Sequence, residues 1–548
     1  MNRMQPSTIL KRDRRRLAGS EAQRTNILAT SALGEFVKPC FGPTGRSKVI
    51  IDDEGKMTVT SDGITLLEAA KIENPVAKVM VAMAKSQYML VGDGTITVTL
   101  FASELLRKSE QLLEHGVHPT TISAGLKRAV QESLRILNQI SESVDRQDRA
   151  ALVKVAKTAL ASKSMIDLQT VLSDIATDAV VRVAERRPER WVVDITQIKT
   201  VKKTAGSIAD SRVVRGVILD KEIAERDMPL QISDARIVIV NSDMNVASRK
   251  GKGIDFEIRI NEPHLMKSLM EEQNRILDNV VERIRSIGAN VVLCQKDIDR
   301  HVARSLAKLG ILAVKRISKV DLELLSKATG GNIVENLDNL TPNDLGFAKS
   351  VEETKIANER TIIVEGCRNP KVVSILVCGG FARYVEEAAR ILHDALSVVA
   401  DVYEVNRVVA GGGAMEMELS KRLMAHASQI SSREQLGICA FAEALEVIPK
   451  TLAENAGLHA LDVVTTLRAV HKEPDGVWYG IDVVKGKVED MMKNGVIEPL
   501  SVKEYYLKHA TEVVSLVLRI DDVIVPTEIP RPRVYGGASS IRESKPQR

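Results

Sequence analysis

Glycines, hydroxyls and carboxylates gather at a few points of the 548-residue chain, in arrangements suited to holding phosphate. The most specific is Val91-Gly92-Asp93-Gly94-Thr95-Ile96-Thr97, which stands immediately before a helical pattern. A helix N-terminus carries unsatisfied N–H groups and positive partial charge, both of which favour phosphate, and Asp93 could hold Mg2+ beside it. An ordinary helix cap by Asp93 or Thr95 accounts for the same residues equally well. The loop Gly42-Pro43-Thr44-Gly45 can bring main-chain N–H groups close to an anion because glycine leaves the approach open; taken alone, it reads as a plain turn. Thr60-Ser61-Asp62-Gly63 could aim a carboxylate into the same site, although Asp-Gly is a common hairpin turn. Asp394 lies off the apolar stripe of Leu392, Leu396, Val399 and Tyr403, where a solvated aspartate is the default. Gly411-Gly412-Gly413 permits close backbone approach but lacks the full dinucleotide spacing.

The elements that must position these residues can be read from periodicity. Ala22, Ala29, Leu33 and Phe36 predict a helix from Ala18 to Val37, closed by Lys38-Pro39. Lys48 to Asp52 and Met57 to Thr60 read as a small hairpin across Asp53-Glu54-Gly55. Helical patterns run from Leu66 to Leu90 and from Val98 to Leu113, with Gly92-Asp93-Gly94 between them. In the middle, Arg236–Val240, Asn290–Cys294 and Gly310–Val314 are apolar strands separated by helix, which predicts a buried parallel unit. Between the first two, Leu265, Leu269, Ile276, Val280, Ile284 and Ile287 mark a long amphipathic helix, and the polar stretch from Val246 to Phe256 should project from the surface. Beyond Val408 the helical pattern returns, ending in strand-like Asp521 to Val525 and a Pro-, Gly- and Ser-rich tail expected to be disordered.

Composition limits the classes of function. The length predicts about three domains. Aromatic residues make up only 3%, so packing falls to Val, Ile, Leu and Ala. A net charge of +5 from 77 basic and 72 acidic groups offers no general polyanion surface, and no specific nucleic-acid partner is expected. The basic cluster Lys11, Arg12, Arg14, Arg15 and Arg16 reads as a solvated terminal arm. Five scattered cysteines form no CxxC pair, which suits a reducing cytoplasm. No apolar run is long enough for a membrane span, and no signal peptide is expected.

Taken together, these stretches resemble the group II chaperonins over nearly the whole chain. The resemblance rests on Phe41 to Gly45, Thr60 to Leu66, Val91 to Thr97, Leu392 to Val398 and Val409 to Ala414. Gly480-Ile481-Asp482-Val483, Gly495-Val496-Ile497-Glu498-Pro499 and Leu518-Arg519-Ile520-Asp521-Asp522 add to it. The short tail and the apical segment look most like archaeal thermosome subunits. The resemblance implies a multidomain α and α/β chaperonin fold, with a mainly helical equatorial domain from residues 1–150 and 408–548. A small hinge, or intermediate, domain would come from 151–219 and 370–407. An apical domain, 220–369, would carry a parallel-type sheet and a helical protrusion near 246–275.

The resemblance also implies function: an ATP-dependent chaperone subunit that encloses unfolded proteins in a double-ring chamber with a built-in lid. Its partners would be homologous subunits in stacked rings and unfolded proteins, in the cytoplasm and without a membrane. ATP and Mg2+ are the implied cofactors. Gly42, Pro43 and Gly45 would approach the phosphates, Asp93 would bind Mg2+, and Gly94, Thr95 and Thr97 would complete the cradle. Gly412, Asp482 and Glu498 would lie near the nucleoside. Asp62 and Asp394 would position and polarise the attacking water, with Asp394 arriving from the hinge on closure, and Lys163 would sense the γ-phosphate.

Several residues depart from the family pattern. Ile96 replaces a threonine, Thr44 replaces the usual lysine, Tyr88-Met89-Leu90 stand at acidic positions, and Cys378-Gly379-Gly380-Phe381 differs from the usual RGGT. They suggest an alternative: a diverged ring subunit with weak ATPase, serving assembly or substrate selection in a hetero-oligomer. A soluble phosphotransferase unrelated to folding is a third reading and predicts a monomer.

Overall fold

The computed structural model describes residues 14–51, 53, 55, 57–161, 168–245, 263–356, 359–369 and 371–526. Lys163, the stretch 246–262 that holds most of the expected protrusion, and the tail after 526 lie outside the described residues.

The two ends of the chain share one helical core. Helices Ser20–Val37, Pro75–Val91, Thr95–Glu114 and Pro119–Ile140 pack with Glu434–Leu445 and Leu500–Val517. At the centre Phe101 meets Phe441 and Tyr506 edge-on, with ring centroids 5.1 and 5.7 Å apart, the geometry aromatic quadrupoles prefer. The expected run from Leu66 to Leu90 is interrupted. A short helix, Gly63–Ala69, stops before Lys71, and a second begins at Pro75 with Asn74 as its cap. Proline suits the first helical position but cannot continue a preceding helix. The hairpin Lys48–Ile51 with Met57–Thr60 forms as expected.

The basic segment is not wholly a free arm. Arg14–Ala18 is a strand paired antiparallel with Asp522–Pro526, and the Arg16 guanidinium grips the Asp522 carboxylate. The apolar alternation of the C-terminal strand was visible in the sequence; its partner was hidden by arginines.

The middle of the chain has its own core. Strands Leu312–Val314, Val291–Cys294 and Gln231–Val240 run parallel, as predicted. The sheet then continues antiparallel through Gly346–Ile356, Glu359–Cys367 and Gly216–Leu219, so it is mixed rather than purely parallel. Strands Gly346–Ile356 and Glu359–Cys367 are half-polar, with charged residues such as Lys349, Glu352 and Glu353 in place of a clean apolar run, and periodicity did not reveal them. Helix Pro263–Ser286 covers the sheet, burying Leu277, Val280, Val281 and Ile284.

A third core joins helices Arg149–Ala161 and Gln169–Val183 to Ala382–Val405. Beside it, Ile198–Lys203 pairs parallel with Val373–Cys378. Lys203 is buried there, its ammonium 2.5 Å from Asp220 and 2.7 Å from Glu359, which ties this small sheet to the larger one. Truncating Phe101 removes the ring on which two others converge. Phe101→Ala should cost about 3–5 kcal/mol, read as a lower urea midpoint for unfolding of the helical core.

Candidate functional site

A cleft of about 700 Å³ opens where the two chain ends and the third core meet. Its wall carries Gly42, Pro43 and Thr44 from the loop after the first helix, and Asp93, Gly94, Thr95 and Thr97 from the loop before helix Thr95–Glu114. Gly412, Asp482 and Glu498 line it from the C-terminal part. Nine of the predicted site residues, Asp93 among them, therefore share one cavity.

Two helices begin at this cavity without a side-chain cap. Helix Thr95–Glu114 starts from Gly94 in the left-handed conformation, and Ala414–Ala427 starts from Gly413, also left-handed. The residue at the cap position of the first of these helices is Gly94 itself, whose N–H donates to the Asp93 carboxylate at 2.7 Å. First-turn N–H groups without a cap and the positive ends of two macrodipoles make a setting for phosphate. A cavity whose wall combines these donors with the Asp93 carboxylate fits a Mg2+-bound polyphosphate, since Mg2+ is usually held by one or two carboxylates plus substrate phosphates.

Of the other predicted residues that are described, Gly45, Asp62 and Asp394 are not among those lining the cleft. Gly45 closes its own turn, donating to the Gly42 carbonyl at 3.0 Å. Asp62 is bracketed by Ser61 and Gly63, which do line the cleft, but its carboxylate caps the helix Gly63–Ala69, accepting from the Thr65 N–H and hydroxyl. It is neither a hairpin turn nor a solvated group. Asp394 is likewise not among the lining residues, yet it is only 4% exposed, unlike the solvated aspartate its helical position suggested.

Asp394 is buried because helix Ala382–Val405 lies against the loops and short helix around Thr60–Thr65 and Tyr88–Gly92. Glu387 receives a hydrogen bond from Thr60, Arg390 donates to Thr65, and Tyr88 meets His393 at 3.2 Å with the rings stacked. One turn further, Ser397 touches Gly92 so closely that a Cβ at Gly92 would lie 2.2 Å from the serine Cβ. Glu387, Arg390, Asp394 and Ser397 fall at i, i+3, i+7 and i+10, on one helix face. Burial pulls the His393 imidazole below its usual value.

Sequence reasoning missed three lysines. Lys154 and Lys157, one turn apart on helix Arg149–Ala161, face the cleft with no carboxylate paired to either among the described residues. On an amphipathic helix they looked like ordinary surface charges. Lys503 also lines the cleft, although its side chain is almost wholly buried. Burial opposes its charge, but Glu416 and Glu498 hold the ammonium above its usual value. The Glu498 carboxyl is pushed up by burial and pulled back by Lys503.

The chain matches the model of the TCP-1/cpn60 chaperonin family over residues 33–528. It is 44% identical over 519 residues to a thermosome subunit beta of Aeropyrum pernix, covering 95% of this chain and 94% of that one. It is 44% identical over 525 residues to a thermosome subunit of Pyrococcus horikoshii, covering 96% and 95%. Among solved structures it resembles the open-state monomer of a group II chaperonin from Methanococcoides burtonii, with 38% identity and a TM-score of 0.60 over 78% of this chain and all of that one. The chain belongs to the TCP-1/cpn60 chaperonin family and, within it, to the group II chaperonins.

The contact at Gly92 gives one test. Its φ of +73° strains any L residue, and a methyl group would strike Ser397. Gly92→Ala should therefore push helix Ala382–Val405 off the loop, seen as faster hydrogen exchange in that helix, with Ser397→Gly restoring part of the protection. Asp401 gives a second. Ser501 donates to its carboxylate, and burial pushes the carboxyl up to about 6. In the unfolded chain the same group titrates near pH ~3.9, so its stabilising contribution is complete below about pH 4 and is lost as pH rises to about 6. Asp401→Asn should be more stable than the wild type by roughly 2 kcal/mol at pH 7, with the gap closing toward pH ~4 in urea titrations.

Proposed function

We propose that the protein is an ATP-hydrolysing chaperonin subunit that assembles with homologous subunits into stacked rings and encloses unfolded proteins, closing as it turns over ATP. The observation that carries this reading is the convergence on one cleft of two uncapped helix N-termini, the Asp93 carboxylate and the Gly42-Pro43 loop. Phosphoryl transfer needs positioning and charge stabilisation rather than a protein nucleophile, and these groups supply both. Asp93 would hold Mg2+, which when bound neutralises charge on the phosphate oxygens.

The chain's own residues divide the remaining work. Gly42, Pro43, Gly45, Gly94, Thr95 and Thr97 cradle phosphates, while Gly412, Asp482 and Glu498 receive the nucleoside. Asp62 and Asp394 orient and polarise the attacking water. Because Asp394 rides on helix Ala382–Val405, its approach depends on that helix docking against Gly92, which ties hydrolysis to hinge movement. Lys163 reports the γ-phosphate from the segment after helix Arg149–Ala161, where Lys154 and Lys157 already face the cleft. The three cores support a division into 1–150 with 408–548, 151–219 with 370–407, and 220–369, with the lid near 246–275. Five unpaired cysteines suit the cytoplasm, and among the described residues no helix is long and apolar enough to cross a membrane.

A specific observation favours weak turnover as a second reading. Ile96 sits in the first turn of the phosphate-side helix and lines the cleft, putting an apolar side chain where the family has a hydroxyl. The test is ATP hydrolysis by the purified full-length protein, with electron microscopy with and without ATP. Wild type should hydrolyse ATP in a Mg2+-dependent manner, and Asp394→Ala should lower kcat by about 100-fold or more while ATP still binds. Equal rates would reject the catalytic role, and a single-subunit particle would reject the ring. Ile96→Thr should raise kcat severalfold if the missing hydroxyl limits turnover.

A further inference from the structure

We propose that a second cavity, separated from the cleft by helix Val447–Asn455, is a binding site for a small organic monocarboxylate. It holds about 610 Å³, within the range of small-molecule sites, and shares no lining residue with the cleft. Val447, Lys450 and Thr451 line the second cavity, whereas Ile448 and Leu452 of the same helix line the cleft. Another wall comes from helices Ser20–Val37 and Thr95–Glu114, which meet at Gly34, where a Cβ would lie 2.6 Å from the Ser103 hydroxyl oxygen. The proposal does not depend on the nucleotide reading.

The charges lining this cavity leave one cation over. Glu35, Glu104, Glu443 and Glu446 are paired with Lys38, Arg107, Lys108 and Arg468, at 3.9, 2.5, 2.6 and 2.5 Å, and all eight line the cavity. Lys450 is the fifth lining cation and pairs with no carboxylate among the described residues. Its neighbour Thr451 is 0% exposed, and the threonine hydroxyl has no hydrogen-bond partner among the described residues. The buried hydroxyls of Thr99, Thr177, Thr329 and Thr511 each donate instead to the carbonyl four residues earlier. A buried hydroxyl that the chain leaves unsatisfied, beside an unpaired ammonium, marks a place for an acceptor from outside.

The same features select the acceptor. A carboxylate accepts from both an ammonium and a hydroxyl, and its single charge matches the single unpaired lysine. A phosphate monoester carries about −1.5 to −2 at neutral pH, and its excess charge would face the four lining carboxylates. Leu100, Met424 and Val447 offer apolar surface to the body of the ligand. Met424, half-exposed, places a methyl group at the mouth of the cavity.

The experiment is methyl NMR of the full-length, assembled protein labelled at its methionine methyls, with the Met424 signal assigned through Met424→Leu. The probes are hexanoate, its neutral counterpart hexanamide, and hexyl phosphate. Hexanoate should shift the Met424 signal saturably and with about tenfold lower Kd than either other probe, the worth of hydrogen bonding to a charged group. Lys450→Met should raise the hexanoate Kd by about tenfold and erase its advantage over hexanamide. Thr451→Val, nearly isosteric, should raise it severalfold, and Thr451→Ser should keep it. Saturating ATP with Mg2+ should leave the Met424 response in place. A Met424 signal that ignores hexanoate, equal binding of hexanamide, or displacement of hexanoate by ATP would each overturn the proposal.

Discussion

What brings Asp394 against the glycine-bearing loops is the packing of helix Ala382–Val405 on Gly92. That contact is possible because residue 92 has no side chain and adopts a left-handed conformation, ending helix Pro75–Val91 and letting Ser397 come within touching distance. Everything helix Ala382–Val405 brings follows from this approach. Glu387 and Arg390 reach the threonines flanking Asp62, His393 stacks on Tyr88, and Asp394 becomes buried between them. An alanine in place of Gly92 would separate two cores, not merely crowd a loop.

Charge in the cleft is arranged around the same approach. Two uncapped helix ends and Lys154 and Lys157 present positive potential, while Asp93 and Glu498 supply carboxylates. The fully buried carboxylates of this region are paired: Glu416 shares Lys503 with the cleft-lining Glu498, and Glu418 accepts from His471 and Arg422. Burial raises the Glu418 carboxyl, but those bonds hold it down at about 2. Such fully buried pairs seldom add stability by themselves, since desolvation offsets attraction. Their value is in fixing geometry, and both groups sit at helix Ala414–Ala427, whose N-terminus opens on the cavity.

The departures from the family pattern fall at the joints of this arrangement. Tyr88 stands where an acidic residue is usual and stacks on His393, one residue before Asp394. Ile96 lies beneath Gly63, where a Cβ would meet its side chain at 2.7 Å, so the apolar replacement is packed between the two phosphate-side loops. An aromatic contact and an added apolar side chain both change how helix Ala382–Val405 and the loops fit together. Neither removes Asp62, Asp93 or Asp394.

Much of this was legible in the sequence. Glycine-bearing loops before apolar-periodic runs marked Gly42–Gly45, Gly92–Gly94 and Gly411–Gly413, because glycine is selected where backbone must turn left-handed or come close to a neighbour. The parallel strands at Val238, Val292 and Ala313 were equally clear, since strands buried on both faces are apolar throughout. What could not be read was anything decided by a distant partner. Arg14–Ala18 became a strand only because Asp522–Pro526 lies beside it. Asp394 and Lys503 carry charges that local pattern assigns to solvent, and only packing against other parts of the chain takes them inside. Local propensity governs which segments form and where they turn, whereas burial of a charge depends on groups hundreds of residues away, and only the folded chain brings those together.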